Sequence, residues 1–184
     1  MKDLLRGARV RLCAEAPEVM ARAEIAWMRD SEYHRLSDTE PMRLWSGKKY
    51  RDWGEERVEK GRDDGYFRFS IRALPDDRLI GVTMIRVNWP NADGIFGIAI
   101  GDRNYWGKGF GTEATRLMLC FAFTELNLRR LTLGADATNS RAIRSYEKSG
   151  FRHEGVSRGE TLREGRRVDS IFMGILREEW EAAK

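Results

Sequence analysis

The stretch "YWGKGFGTEA", Tyr105 to Ala114, decides the fold reading, because it sets glycines at 107, 109 and 111 and passes straight into helix-favouring residues. Just upstream, "GIFGIAIG" (94–101) alternates with a period of two and predicts a strand. Downstream, "TEATRLMLCFAFTEL" places Ala114, Leu117, Met118 and Phe121 on one face, with Leu119, Ala122 and Phe123 widening it, so a largely buried helix is predicted. A strand that ends in a glycine turn and opens a helix aims unpaired N–H groups and the positive end of the helix dipole at one spot. Phosphate is the natural guest there. The glycines let the backbone bend and approach an anion, and Lys108 adds a point charge. A tight turn that binds nothing is the plain alternative, and three alternate glycines favour the cradle.

Outward from this turn the pattern reads as a mixed sheet. "ARVRLCAE" predicts a first strand and "PEVMARAEIAWMRD" a helix opened by Pro17. "SEYHRLSDTEPMRLWS", broken by Pro41, reads as a loop ahead of a charged helix near Lys48 to Lys60. "YFRFSIRAL", "RLIGVTMIRV" and "GIFGIAIG" form an antiparallel meander before the glycine turn. After the buried helix come a strand, "RRLTLGAD", and a short helix, "NSRAIRSYEKSG", capped by Asn139 or Ser140 and ended by Gly150. "FRHEGVSRGETL" and "RRVDSIFMGIL" then make a hairpin about "REGR", and "REEWEAAK" trails off. The predicted fold is α/β, an α+β mixed sheet in the order β-α-α-β-β-β-α-β-α-β-β, as one domain over 1–184.

The 184 residues suit one domain, which buries about 70% of its unfolded surface at this size. Hydrophobic residues make up 41% and charged residues 34%, a soluble composition. No apolar run approaches the ~20 residues a membrane span needs, and no secretion signal opens the chain. A cytoplasmic setting without membrane contact is therefore expected. The net charge of +4 is spread along the chain, whereas nucleic-acid binding calls for a denser stripe. Cys13 and Cys120 are far apart and only His34 and His153 occur, so neither a disulfide, a metal site nor a Ser/His/Asp triad has support.

The phosphate ligand is narrowed by what the turn is not. No G-x-x-x-x-G-K-[ST] is present, which excludes the usual triphosphate loop. The spacing G-x-G-x-G also misses the dinucleotide fingerprint, although Asp136 ends the next strand near where a ribose-binding acid would lie. A dinucleotide-dependent oxidoreductase stays as a distant alternative, since the meander and hairpin do not supply its repeated βα units.

"WGKGFG" (106–111) beside "NSRAIRSYEKSGF" (139–151) resembles the GNAT superfamily of acetyl-CoA-dependent N-acetyltransferases. The likeness runs from about Ile95 to Trp180 and points to the branch of ribosomal-protein N-terminal and spermidine acetyltransferases. One departure is Trp106, where the superfamily's phosphate motif [QR]-x-x-G-x-[GA] has Gln or Arg. Cofactor contact is accordingly expected from backbone N–H groups of Lys108, Gly109, Phe110, Gly111 and Thr112, with Arg103 and Lys108 as auxiliaries.

The resemblance implies that the pantetheine arm pairs with the edge of the strand before the turn, at Ile98 and Ile100, residues that also suit a core. A strand N–H near Ala99 or Ile100 would polarise the thioester carbonyl. Asn139 would bond the pantetheine amide, beside Ala142, although plain helix capping also suits it. Tyr146, two turns on, would be the acid for the departing thiolate, or an aromatic packed on the sheet. Direct attack by a neutral amine needs a proton acceptor, with Glu154 the first candidate and Asp136, Glu160 and His153 behind it. The loop Ser37 to Trp45 would line the acceptor side, where Asp38 and Glu40 would attract a cationic amine or simply face solvent. The implied reaction acetylates a primary amine on a protein N-terminus, a polyamine or another small molecule, with acetyl-CoA as cosubstrate and no metal, by a monomer or homodimer. A CoA-binding sensor that has lost turnover is the alternative.

Overall fold

The structure, a computed structural model, describes residues 3–41, 45–74 and 76–183. Seven strands form one sheet: β1 (Val10–Cys13), β2 (Tyr66–Ala73), β3 (Arg78–Asn88), β4 (Asp93–Ile100), β5 (Arg130–Asp136), β6 (Arg152–Arg163) and β7 (Arg166–Leu176). The helices are α1 (Pro17–Met28), α2 (Ser31–Ser37), α3 (Gly47–Asp64), α4 (Phe110–Thr124), α5 (Ser140–Glu147) and α6 (Arg177–Ala182). The predicted order holds, with two short helices added. At α2 the Asp30 carboxylate accepts the N–H groups of Glu32 (3.0 Å) and Tyr33 (3.1 Å), while Tyr33 and His34 go into the interior. A polar seven-residue helix carries too short an apolar pattern to separate from a loop in sequence. At α6, the Leu176 N–H donates to Glu179 Oε2 (2.9 Å), and "REEW" turns helical rather than trailing off.

Strand order is β1-β2-β3-β4-β5-β7-β6. Every neighbouring pair is antiparallel except β4 and β5. The two-residue turn Glu164-Gly165, both at positive φ, closes the β6–β7 hairpin. The parallel pair lasts only from Asp93↔Arg130 to Ile95↔Thr132. Beyond it the two strands run on to Ile100 and Asp136 without pairing to each other, and the sheet opens as a V.

The main core fills one side of the sheet. From α4 it takes Ala114, Met118, Leu119, Ala122 and Phe123, set on Ile85, Leu131, Leu133, Met173 and Ile175. Met118, Leu119 and Phe123 together contribute about 5–9 kcal/mol of burial. That exceeds the ~1 kcal/mol of a capping side chain, so α4 can begin on Gly109, which caps it without a side-chain bond. A smaller cluster of Met20, Trp27 and Tyr33, with Val82 and Ala99, brings α1 and α2 against the sheet.

Candidate active site

The V between β4 and β5 exposes a defined row of backbone groups. Gly101 N–H donates to Ile80 of β3 (2.8 Å), whereas Ala92 O, at the other end of β4, accepts from Arg129 beside β5 (2.6 Å). Strand alternation therefore turns odd-numbered residues of β4 to β3 and even-numbered ones to β5. Past Ile95 there is no β5 partner, so Ile98 and Ile100 hold their N–H groups to the opening while Ala99 serves the β3 ladder. The Ile100 carbonyl on that edge is taken by the Trp106 indole, Nε1 to O at 2.6 Å. The groups that stay open include the Ile98 N–H and C=O and the Ile100 N–H.

A cavity of about 360 Å³ lies along this edge. The glycine turn forms one end through Gly107, Gly109, Gly111 and Thr112. Gly107 (φ 71°) and Gly109 (φ 87°) are both left-handed, a conformation that carries a penalty of about 1–2 kcal/mol for other residues. The first helical bond, Glu113 N–H to Gly109 O (3.0 Å), leaves the N–H groups of Phe110, Gly111 and Thr112 without an intrahelical acceptor. These are the donors that the sequence assigned to an anion. The Phe110 ring itself stacks edge-on with Tyr105 at 5.0 Å.

The cations differ from those expected. Arg103 is held by two carboxylates, Asp30 and Glu32 (Nη1 to Oε2, 2.7 Å), and does not line the cavity. Its guanidinium holds the Asp30 carboxyl down at about 2. Lys108 contributes its carbonyl to Arg9 (2.7 Å), and its side chain is exposed outside the lining. Instead Arg141, Arg144 and Lys148 line the site from α5 and its end. Arg141 stacks on the Trp106 ring at 4.0 Å, so the tryptophan that departs from the phosphate motif fixes an arginine. The i, i+3, i+7 spacing of these cations was visible in sequence, but it also fits a solvated helix face.

Helix α5 supplies the remaining residues. Asn139 caps it, Oδ1 accepting from the Ala142 N–H (3.1 Å), which leaves the Asn139 amide NH₂ as a donor at the cavity wall. Thr112 Oγ1 and Ser145 Oγ meet at 2.8 Å and tie α5 to α4. Tyr146 lines the cavity and packs edge-on against Phe96 (6.4 Å) and Phe151 (6.0 Å). Burial pushes its phenol up to about 12, so it keeps its proton at neutral pH.

Across the cavity stand Tyr33, Leu36 and Ser37 of α2, so Ser37, where the predicted loop begins, is the end of a helix. Of that loop, Met42 to Leu44 lie outside the described residues. Asp38 follows Ser37 directly, with its Oδ1 accepting the Glu40 N–H (2.9 Å). The structure does not bring Glu154 here. Its carboxylate pairs with Arg130 at the start of β5 (2.6 Å), whereas the cavity takes Gly134 and Ala135 from that strand's other end. His153 faces Glu147 (3.0 Å), Glu160 is exposed, and Asp136 pairs with Arg163 (3.5 Å). None of the four lines the cavity, and among the described residues no cluster of potential metal ligands occurs.

The sequence profile of the acetyltransferase (GNAT) domain family matches residues 11–152. The chain belongs to this family. An uncharacterised N-acetyltransferase of Bacillus licheniformis is 32% identical over 114 residues, 61% of this chain and 64% of that protein, so the matched stretch spans less than two thirds of that relative. A spermidine N(1)-acetyltransferase of Escherichia coli (strain K12) is 30% identical over 152 residues, 81% of each chain. A spermidine N-acetyltransferase of Vibrio cholerae, solved in complex with CoA and spermine, shares the fold with a TM-score of 0.83 at 23% identity, covering 95% of this chain and 99% of that one. The cosubstrate of a GNAT domain is acetyl-CoA, and the donor set fits it. The β4 edge offers amide-type partners for a pantetheine arm, and the glycine turn with Arg141, Arg144 and Lys148 suits phosphates.

Proposed function

We propose that this protein is an N-acetyltransferase that moves the acetyl group of acetyl-CoA to a primary amine by direct attack. One observation carries the reading: the unpaired edge of β4, the glycine turn and Tyr146 share a single cavity. In this account the Ile98 N–H and C=O pair with the pantetheine arm, and the Ile100 N–H polarises the thioester carbonyl. Asn139 NH₂ and the Ala142 region steady the arm, and Tyr146 protonates the leaving thiolate. The described lining residues include no carboxylate and no imidazole. The amine proton is therefore assigned to water leading out past Ser37, in place of Glu154.

The acceptor is a primary amine that enters on the α2 side of the cavity, past Leu36 and Ser37. Spermidine-acetylating relatives and the position of Asp38 and Glu40 beyond Ser37 favour a polyamine. The neutral acceptor wall of Tyr33, Leu36 and Ser37 favours a singly charged amine such as a peptide N-terminus. A single domain over 1–184, a cytoplasmic setting and a monomer or homodimer belong to the same proposal. Among the described residues no helix is long and apolar enough to cross a membrane.

The test is purified protein with acetyl-CoA and a panel of spermidine, a short peptide with a free N-terminus and an aminoglycoside, read by mass spectrometry. Acetyl amide formed in step with free CoA is the expected result. Tight acetyl-CoA binding with no acetylated amine from any broader panel would instead mark a sensor, and absence of binding would remove the reading altogether.

A further inference from the structure

The chain ahead of β1 folds back on itself. Gly7 N–H donates to Val10 O (2.8 Å) and Leu12 N–H to Leu5 O (2.7 Å), which leaves Ala8 and Arg9 at the tip of a small hairpin. That tip sits on the first turn of α4, where the Glu113 carboxylate accepts the N–H groups of Ala8 (2.5 Å) and Arg9 (3.1 Å). The carboxylate lies so close over Gly7 that a Cβ there would oblige it to shift. The Arg9 guanidinium thereby reaches the glycine turn. Its Nη1 donates to Lys108 O (2.7 Å) and stands 3.1 Å from the place a Cβ on Gly109 would occupy.

We propose that Arg9 is a phosphate-binding residue of the cofactor site, supplied by the N-terminal segment and positioned by Glu113; this rests on the acetyl-CoA reading above. An acid in the first turn of a helix that receives a polyphosphate opposes it, unless its charge is taken up locally. Here two main-chain N–H groups take up Glu113, and the same contact delivers an arginine to the lip of the turn. Unlike Arg11, Arg35, Arg72 and Arg103, Arg9 has no carboxylate partner among the described residues, its side-chain bond going to a main-chain carbonyl. One guanidinium nitrogen is engaged, so Nε and Nη2 stay as donors in the fork geometry that matches phosphate oxygens. Trp106 is neutral and spends its one side-chain donor on Ile100 O, so the turn gains neither a charge nor a free donor from that position. Arg9 is exposed and stands outside the cavity lining, at the outer lip of the turn through Lys108 O, and so adds a cation to the side away from Arg141, Arg144 and Lys148 of α5.

The experiment is calorimetric binding of CoA across a range of salt concentrations, with the full chain and with Arg9→Gln. The expected result is about a tenfold weaker Kd for R9Q at low salt, with the gap narrowing as salt rises, because a lost charge contact is screened. Arg9→Lys keeps the charge and should keep the salt dependence of the parent. A Kd for R9Q within threefold of the parent overturns the proposal, and so does a loss that is equal at every salt concentration, which marks a purely structural role for the hairpin. A thermal unfolding curve on each variant confirms that folded protein is compared. If the parent itself does not bind CoA, it is the cofactor reading that falls, an outcome separate from the failure of Arg9.

Discussion

At the scale of single residues the sharpest assignment is Tyr146. Burial by Phe96, Phe151 and α5 lifts its phenol to about 12, with no charged group responsible. An acid with that value is protonated throughout the working range, and because transfer to a thiolate, whose thiol titrates at about 8.5, is uphill from it, the step depends on the leaving sulfur being held beside the phenol. Tyr146→Phe should therefore lower kcat by about a hundredfold or more while leaving the CoA Kd within twofold. Calorimetry and steady-state rates separate the two, and an unchanged kcat would remove the tyrosine from the chemistry. The pH profile follows from the same cavity. With no carboxylate or imidazole among the described lining residues, kcat/KM for the amine should rise about tenfold per pH unit until the amine's own pKa near 10, with no fall from Tyr146 below that. Stability runs the other way: the folded phenol titrates above its unfolded value near 10, so its contribution is intact below that pH and is lost as pH climbs towards about 12.

At the scale of elements, the proposed function rests on β4 having β5 beside it for only its first three residues. A proline at an open edge removes a donor that the fold does not use, whereas a proline in a ladder removes one that it does. Ile98→Pro should therefore unfold at nearly the temperature of the side-chain control Ile98→Ala, yet bind CoA about threefold to tenfold more weakly than that control, the worth of one hydrogen bond. Ala99→Pro, one residue on, loses a bond to β3 and should cost about 3 kcal/mol of stability. Equal CoA affinity in I98P and I98A would mean the arm does not pair here. Much of this was legible beforehand. Period-two runs marked the strands, and the alternate glycines marked the turn. The opening itself entered only through the resemblance to a family, because the register at which β4 and β5 part is set by packing over distant residues. Glu154 lies away from the cavity for the same reason. Its place one strand after Tyr146 suggested nearness, while pairing of β6 with β7 carried it to Arg130.

At the scale of the whole molecule, arginine is the residue that joins the two halves of the split sheet. The hairpin β6–β7 is tied to α2 at its tip by Arg35 to Glu164 (2.6 Å) and by Arg163, which bonds the Asp38 carbonyl and pairs with Asp136. Sequence could show these arginines as a scattered positive excess but not their partners, which lie up to 129 positions away. Arg163 and Asp136 are 13% and 7% exposed, so Arg163→Met leaves a carboxylate in a poorly solvated place. The expected cost is about 3 kcal/mol, the low end for a broken buried pair because the contact is long. The same change frees the end of α2, and the amine KM should rise several-fold with the CoA Kd unaltered, since the glycine turn and α5 are untouched. Adding Asp136→Asn separates the two effects. Asparagine still accepts from the Thr138 N–H, no charge is stranded, and stability should return to within about 1 kcal/mol of the parent. The Asp38 bond stays lost in the double variant, so the raised amine KM should persist. An amine KM that recovers along with stability would show that the hairpin steadies the fold without shaping the acceptor side.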